Sequence, residues 1–266
     1  MSEVIENKRP VSWRTAITKN EDGDIHIRGY NLEDMISSLS FPAAIFLVLK
    51  GELPSDAEEK MMNAIFVSCI DAGIAPPSVG AARKVFSGGN SFNSSVAAGI
   101  MSFGDYHGGA IEQSAKFLLE LLEGKDTSNI PQLAEETVRT YLAEKKRFLG
   151  LGHKIHTVDP RTTRLINVAE KAGFGGKHLT FMLEVAKQYK IQKPEKNLPL
   201  NVDGAIAAII CDMGFDWKLG KAFFIIARTP GLCAHIHEEW SREKPFRRLE
   251  HNQHIYDGVD DRKLDK

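Results

Sequence analysis

Phe148-Leu149-Gly150-Leu151-Gly152-His153-Lys154-Ile155-His156-Thr157-Val158-Asp159-Pro160-Arg161 sets a histidine on a glycine-rich turn just before a marked helix start. Asp159 suits the N-cap, where a carboxylate accepts an otherwise orphaned backbone N–H, and Pro160 suits the first helical position, where no N–H is needed. Arg161 is therefore expected in the first helical turn, a few residues from His153, so that a titratable imidazole and an anion-binding guanidinium fall together. Two further segments have a similar make-up. Gly104-Asp105-Tyr106-His107-Gly108-Gly109-Ala110 puts a second histidine against paired glycines, and Leu198-Pro199-Leu200-Asn201-Val202-Asp203-Gly204 puts an acid where an apolar helix begins. Each has a plainer reading beside the catalytic one: a histidine among glycines can simply bond backbone, and Asp203 can be a helix cap.

Outward from these segments the chain reads as helix after helix. Ser55-Asp56-Ala57-Glu58 has capping-box spacing and opens a helix expected to run to about Ala72, with Gly73 as its stop. Apolar residues at helical intervals predict further helices over Asn93 to Phe103, Ala110 to Leu122, Pro131 to Lys145, Pro160 to Ala172, His178 to Tyr189, Ala205 to Met213, Trp217 to Ala227 and Pro230 to Ser241. Only Asp24 to Tyr30 alternates like a strand, and a short hairpin is expected there. The fold class is all-α.

Composition narrows the setting. The 266 residues suffice for one large domain or two smaller ones, and a formal net charge of -1 gives no global case for nucleic acid or a membrane surface. Met1 to Arg14 is polar, and no apolar run reaches the ~20 residues of a membrane span, so a cytoplasmic protein is expected. Cys69, Cys211 and Cys233 are far apart in apolar surroundings and read as reduced, buried thiols. No G-x-x-x-x-G-K-[ST] or G-x-G-x-x-G occurs, so ATP and dinucleotide binding find no support.

The ordered set His107-Gly108-Gly109-Ala110, Gly150-Leu151-Gly152-His153 with Asp159-Pro160-Arg161, Asn201-Val202-Asp203, and Arg228-Thr229-Pro230-Gly231 resembles the citrate synthase superfamily. Near the N-terminus, Ile25 to Asp34 followed by Leu49 to Pro54 resembles that family's opening. The resemblance implies a citrate synthase-like fold, in which a large helical domain (1–109 and 213–266) is interrupted by a small helical one (110–212). It implies carbon–carbon bond chemistry beside a thioester, which needs a base for a weakly acidic methyl group, a donor for the enolate oxygen, and a group for the keto or hydroxyl oxygen. By motif these are Asp203, His107 and His153 respectively.

The substrate's carboxylates call for arginine forks, and Arg161 and Arg228 stand at the family's carboxylate-binding positions. Arg248, with the register Pro245-Phe246-Arg247-Arg248 fixed only to within a residue, stands where an arginine of a second subunit would reach across; a solvated surface arginine is the alternative. A homodimer or larger assembly follows from the resemblance. Lys145 and Arg147, with Lys146, precede the GLGH turn and could meet coenzyme A phosphates, as could Lys154; a solvated helix end is the other reading. No metal and no tightly bound cofactor is implied, the coenzyme A thioester being substrate.

Departures from ordinary synthases bear on the direction of reaction. The chain is shorter, and Asn90 stands before Asn93-Ser94-Ser95, where synthases commonly carry an oxaloacetate-binding histidine. Gly104-Asp105, Ala115-Lys116-Phe117 and Asn201-Val202-Asp203-Gly204 resemble citryl-CoA lyase, the cleaving module also found at the end of ATP-citrate lyase. His107 points the other way, because that module can carry an aromatic residue there. The expected reaction is cleavage of citryl-CoA to acetyl-CoA and oxaloacetate, with a separate synthetase to supply citryl-CoA; a short citrate synthase is the alternative. From a different class, His235, His237, Glu238, Glu239, His251 and His254 could form a metal cluster in a regulatory protein, or the chain could be an inactive helical scaffold. His235 and His237, two positions apart, are expected to face different ways on a helix.

Overall fold

The computed structural model describes residues 13–21, 23–152, 159–196, 198–248 and 251–263. The chain forms two compact units, one of Met1–Ser68 with Ile111–Gly220 and one of Cys69–Ala110 with Lys221–Lys266. His153 and Lys154 lie outside the described residues.

The first unit opens with an antiparallel sheet of β1 (Thr18–Glu21), β2 (Asp24–Ile27) and β3 (Tyr30–Asn31), in which Thr18 pairs with Ile27 and His26 with Asn31. The expected hairpin is thus joined by a third strand. Helices α1 (Leu32–Ser38), α2 (Phe41–Lys50) and α3 (Asp56–Cys69) follow. The capping box forms as read: the Ser55 N–H and hydroxyl both lie 2.9 Å from Glu58 Oε2, while the Glu58 N–H donates to Ser55 Oγ at 3.3 Å.

After residue 110 come α6 (Ala110–Leu122), α7 (Ile130–Ala143), α8 (Pro160–Lys171), α9 (Lys177–Gln192) and α10 (Val202–Asp212), the intervening α4 (Pro77–Ser87) and α5 (Phe92–Met101) belonging to the second unit. α10 is apolar on nearly every side, Ala205 to Ile210 being fully buried, and it packs on α8 and α9. A helix apolar all round has to be surrounded by others, which makes α10 the axis of this unit. Asp212 at its end accepts the N–H groups of His178 and Leu179 and pairs with His178 Nδ1 at 2.8 Å, satisfying the N-terminus of α9. Gly176 leaves room for that carboxylate, which a Cβ there would meet at 2.5 Å.

In the second unit α4 packs on α5, and α11 (Gly220–Arg242) crosses α5 where Gly99 lacks the Cβ that would meet Leu232 at 2.9 Å. The break expected at Pro230 does not occur: Pro230 lies inside α11. An internal proline removes one backbone donor and normally bends or ends a helix. Here Thr229 Oγ1 bonds the Ile225 carbonyl at 2.6 Å, and Gly231 packs directly on the Ile70 carbonyl, where any Cβ would collide. Trp217–Leu219, expected as the start of this helix, forms a separate 3-10 turn.

Candidate active site

In the first unit the GLG and NVD segments are stitched to each other through backbone. The Gly152 N–H donates to the Pro199 carbonyl at 2.7 Å and the Asn201 N–H to the Gly150 carbonyl at 2.9 Å. Asn201 Nδ2 adds a bond to the Gly152 carbonyl at 3.0 Å. The glycines make this approach possible. Gly150 and Gly152 have φ of 79° and 87°, and a Cβ on Gly204 would stand 2.5 Å from the Gly150 carbonyl oxygen. The turn that leads into His153 is therefore held against the start of α10.

Asp203 sits in the first turn of α10, half-buried, and does not cap it. Asn201 is the N-cap, its Oδ1 accepting the Gly204 N–H at 3.0 Å. The plain reading of Asp203 thus passes to its neighbour, and the Asp203 carboxylate lies at a helix N-terminus, where the backbone dipoles favour an anion. Asp159 does cap α8 as expected, and it does more. Nearly fully buried, it accepts the Arg161 N–H at 3.0 Å and pairs with the guanidinium through Nε at 3.1 Å and Nη2 at 2.8 Å.

Lys145 and Arg147 line a cavity of about 470 Å³ whose wall also holds Phe148 and Tyr189. Lys193 and Lys196, which no motif marks in the sequence, lie on the same wall. Their signal was the lysine-rich end of α9, indistinguishable from a solvated charge run without knowing that this end faces Lys145. The cavity combines aromatic and aliphatic surface with several cations, which suits a ligand carrying a flat ring and phosphates.

In the second unit His107 closes a tight turn, its N–H and C=O bonded to the C=O and N–H of Gly104 at 3.0 and 2.9 Å. Its Nε2 lies 2.8 Å from the Oγ of Ser78, a fully buried residue in the first turn of α4. Edge contacts with Phe103 and Phe224, centroids 5.3 and 5.7 Å away, hold the rest of the ring. A Cβ on Gly108 would meet Phe224 at 2.6 Å and one on Gly109 the Gly104 carbonyl at 2.8 Å, which explains why two glycines follow this histidine. Ser78, far from His107 in sequence, carried no local signal.

Arg228 is 3% exposed, donates from Nε to the Cys69 carbonyl at 2.7 Å, and lies with its Cζ 4.8 Å over the Phe224 ring. His107 and Arg228 thus share Phe224 between them. Asn90 is exposed and donates from Nδ2 to the Val85 carbonyl at 2.9 Å, finishing α4. Arg247 bonds Glu239 through Nε and Nη2, and Arg248 is exposed. Asp203, Arg161, Lys145 and Arg147 therefore belong to one unit, and His107, Arg228, Asn90 and Arg248 to the other.

In the histidine-rich segment two members have other partners. His235 Nε2 lies 3.0 Å from Asp71 Oδ1, and Glu239 bonds arginines. Among the described residues no three His, Cys, Asp or Glu side chains converge on a possible metal position. Nor is any described helix long and apolar enough to cross a membrane.

Residues 54–249 match the family described as citrate synthase, C-terminal domain, and the chain belongs to that family. Among solved structures, citryl-CoA lyase from Hydrogenobacter thermophilus is similar at 48% identity and a TM-score of 0.88, covering 96% of this chain and 98% of that one. ATP citrate lyase from Methanothrix soehngenii shares the fold at 22% identity and a TM-score of 0.81, over 95% of this chain and 43% of that one. Citrate/2-methylcitrate synthase of Bacillus subtilis is 31% identical over 219 residues, 80% of this chain and 56% of the relative. The chain thus spans little more than half the length of the curated synthases it resembles.

Proposed function

We propose that this protein is a citryl-CoA lyase, cleaving citryl-CoA to acetyl-CoA and oxaloacetate by acid/base chemistry. The observation that carries this reading is the 48% identity to citryl-CoA lyase of Hydrogenobacter thermophilus over 98% of that chain, against partial coverage of the synthases. In the cleavage direction His153 takes the proton of the citryl hydroxyl as its oxygen becomes the keto oxygen of oxaloacetate. The electrons of the breaking carbon–carbon bond pass to the thioester as an enolate, whose oxygen His107 stabilises. Ser78 and the two phenylalanines supply the rigid ring that such stabilisation needs. Asp203, which enters the cleavage direction protonated, gives that proton to the enolate carbon and is left as the carboxylate, releasing acetyl-CoA.

Arg161 and Arg228 take substrate carboxylates, with Asn90 near the oxaloacetate end. Lys145, Arg147, Lys193, Lys196 and Lys154 take coenzyme A phosphates. The working unit is a homodimer or larger, with Arg248 serving the neighbouring copy, in the cytoplasm beside a separate synthetase. The domain division inherited with the fold, 1–109 with 213–266 against 110–212, belongs to the same reading.

Supplied with citryl-CoA, the protein releases acetyl-CoA and oxaloacetate faster than citrate and free coenzyme A. Predominant release of citrate, corrected for spontaneous hydrolysis, would instead make it a short citrate synthase. Asp203→Asn and His153→Ala each lower turnover by about 10²–10⁴-fold with the fold intact, the usual contribution of one positioned acid/base. Near-normal turnover in either variant removes that residue from the mechanism. At citryl-CoA concentrations too low for Arg248→Ala to turn over well, mixing it with inactive Asp203→Asn chains raises activity above the sum of the two if sites are shared; a fully active monomer in sedimentation contradicts it.

A further inference from the structure

Glu239 on α11 is 2% exposed, and its carboxylate holds arginines from two other stretches of chain. Arg83 of α4 donates from Nε to Oε2 at 2.6 Å. Arg247 donates from Nε to Oε1 at 3.0 Å and from Nη2 to Oε2 at 2.7 Å, a two-pronged fork. The backbone N–H of Arg247 also reaches Ser87 Oγ at 3.3 Å. Glu243 completes the group, 3.2 Å from Arg247 Nη2 and 3.8 Å from Arg83 Nη2, with Glu238 3.5 Å from Arg83 Nη1.

A buried ion pair contributes little net stability over apolar residues of like volume, because desolvation of the charges offsets their attraction. What a bidentate arginine–carboxylate pair does supply is directional geometry. Here that geometry pins the chain at residue 247 to both α4 and α11, and the next residue, Arg248, is left exposed. Resting on the reading of Arg248 as a ligand of a substrate carboxylate, we propose that Glu239 is a positioning residue: by gripping Arg83 and Arg247 it sets the place at which Arg248 meets the substrate.

The test is steady-state cleavage of citryl-CoA by full-length Arg248→Ala, Glu239→Gln and Arg247→Met proteins and by the Glu239→Gln/Arg248→Ala double variant. Circular dichroism and sedimentation check fold and assembly. Arg248→Ala is expected to raise KM about tenfold or more, as loss of a desolvated charge contact does. Glu239→Gln and Arg247→Met raise KM comparably while kcat stays within about threefold, the split expected of lost binding rather than lost chemistry. The double variant is no worse than Arg248→Ala alone, because a residue that acts only through Arg248 has nothing further to lose. Arg247, with its side chain 35% exposed, tolerates replacement even should Glu239→Gln fail to fold. If Arg248→Ala raises KM but Arg247→Met leaves it within about twofold, or if the double variant multiplies the effects, the clamp is wrong and the reading of Arg248 stands. An unchanged KM in Arg248→Ala overturns that reading and the clamp together.

Discussion

Gly204 has no room for a methyl group, since a Cβ would stand 2.5 Å from the Gly150 carbonyl oxygen and 2.7 Å from its Cα. Both obstacles are backbone and cannot rotate away, so Gly204→Ala is expected to destabilise by ~1–3 kcal/mol, the usual range for overpacking. It also displaces the turn that precedes His153. Thermal melting together with turnover checks this: a variant with unchanged melting temperature and activity contradicts the contact. That Gly150, Gly152 and Gly204 mattered was legible in the sequence as glycines flanking His153 and Asp203; that they touch one another was not. The same division holds for the polar groups. Asp159 caps α8 as its place before Pro160 predicts, but Asn201 takes the capping role from Asp203 because the helix begins two residues earlier than Asp203 alone would start it. Ser78, which fixes His107, was not legible because it lies 29 positions from that histidine and α4, which presents it, has no side-chain cap to mark its start.

Among the elements, α3 carries its own instructions. Burial opposes ionisation of Glu58, but the Ser55 N–H and hydroxyl and the nearby Lys50 ammonium outweigh it and hold the carboxyl below its usual range. Glu239 is lowered likewise, burial again being overcome by Arg247 and Arg83. A carboxylate whose native pKa is depressed contributes stability that is fully present above its unfolded value, about 4.3, and that is lost as pH falls through the native one. Stability should therefore drop on the acid side of about pH 4. Ser55→Ala should cost about 1 kcal/mol near neutrality, a difference that shrinks once Glu58 is protonated. Denaturant titrations at the two pH values decide this, and an equal difference at both contradicts the assignment. Element existence was legible wherever caps and periodicity agreed, as in α3 and α8. It failed for α1, α2 and α4, the apolar run Phe41 to Leu49 of α2 having little polar face to set a period, and at Pro230, through which α11 runs on.

At the scale of the whole molecule, the three cysteines differ in what surrounds them. Cys69 and Cys211 are buried and Cys233 is only partly so. Burial, aided by the neighbouring Asp212, pushes the Cys211 thiol up to about 12. Thiolate is the reacting form, so the native protein at pH 8 is expected to expose no more than Cys233 to an aromatic disulfide reagent, and the denatured protein all three. Rapid native modification of Cys211 would contradict that burial. The stitching of the GLG turn to the start of α10 has a further consequence, in time rather than in space. Helical hydrogen bonds close loops of a few residues, whereas Gly152 and Asn201 are 49 positions apart, and distant contacts wait until the entropy of the intervening chain has been spent. In refolding from denaturant, the amides of Gly152 and Asn201 should gain protection from exchange after those of α9. Enzymatic activity should accordingly return later than helical ellipticity, and recovery of both in one phase would show that the turn is already in place when the helices form.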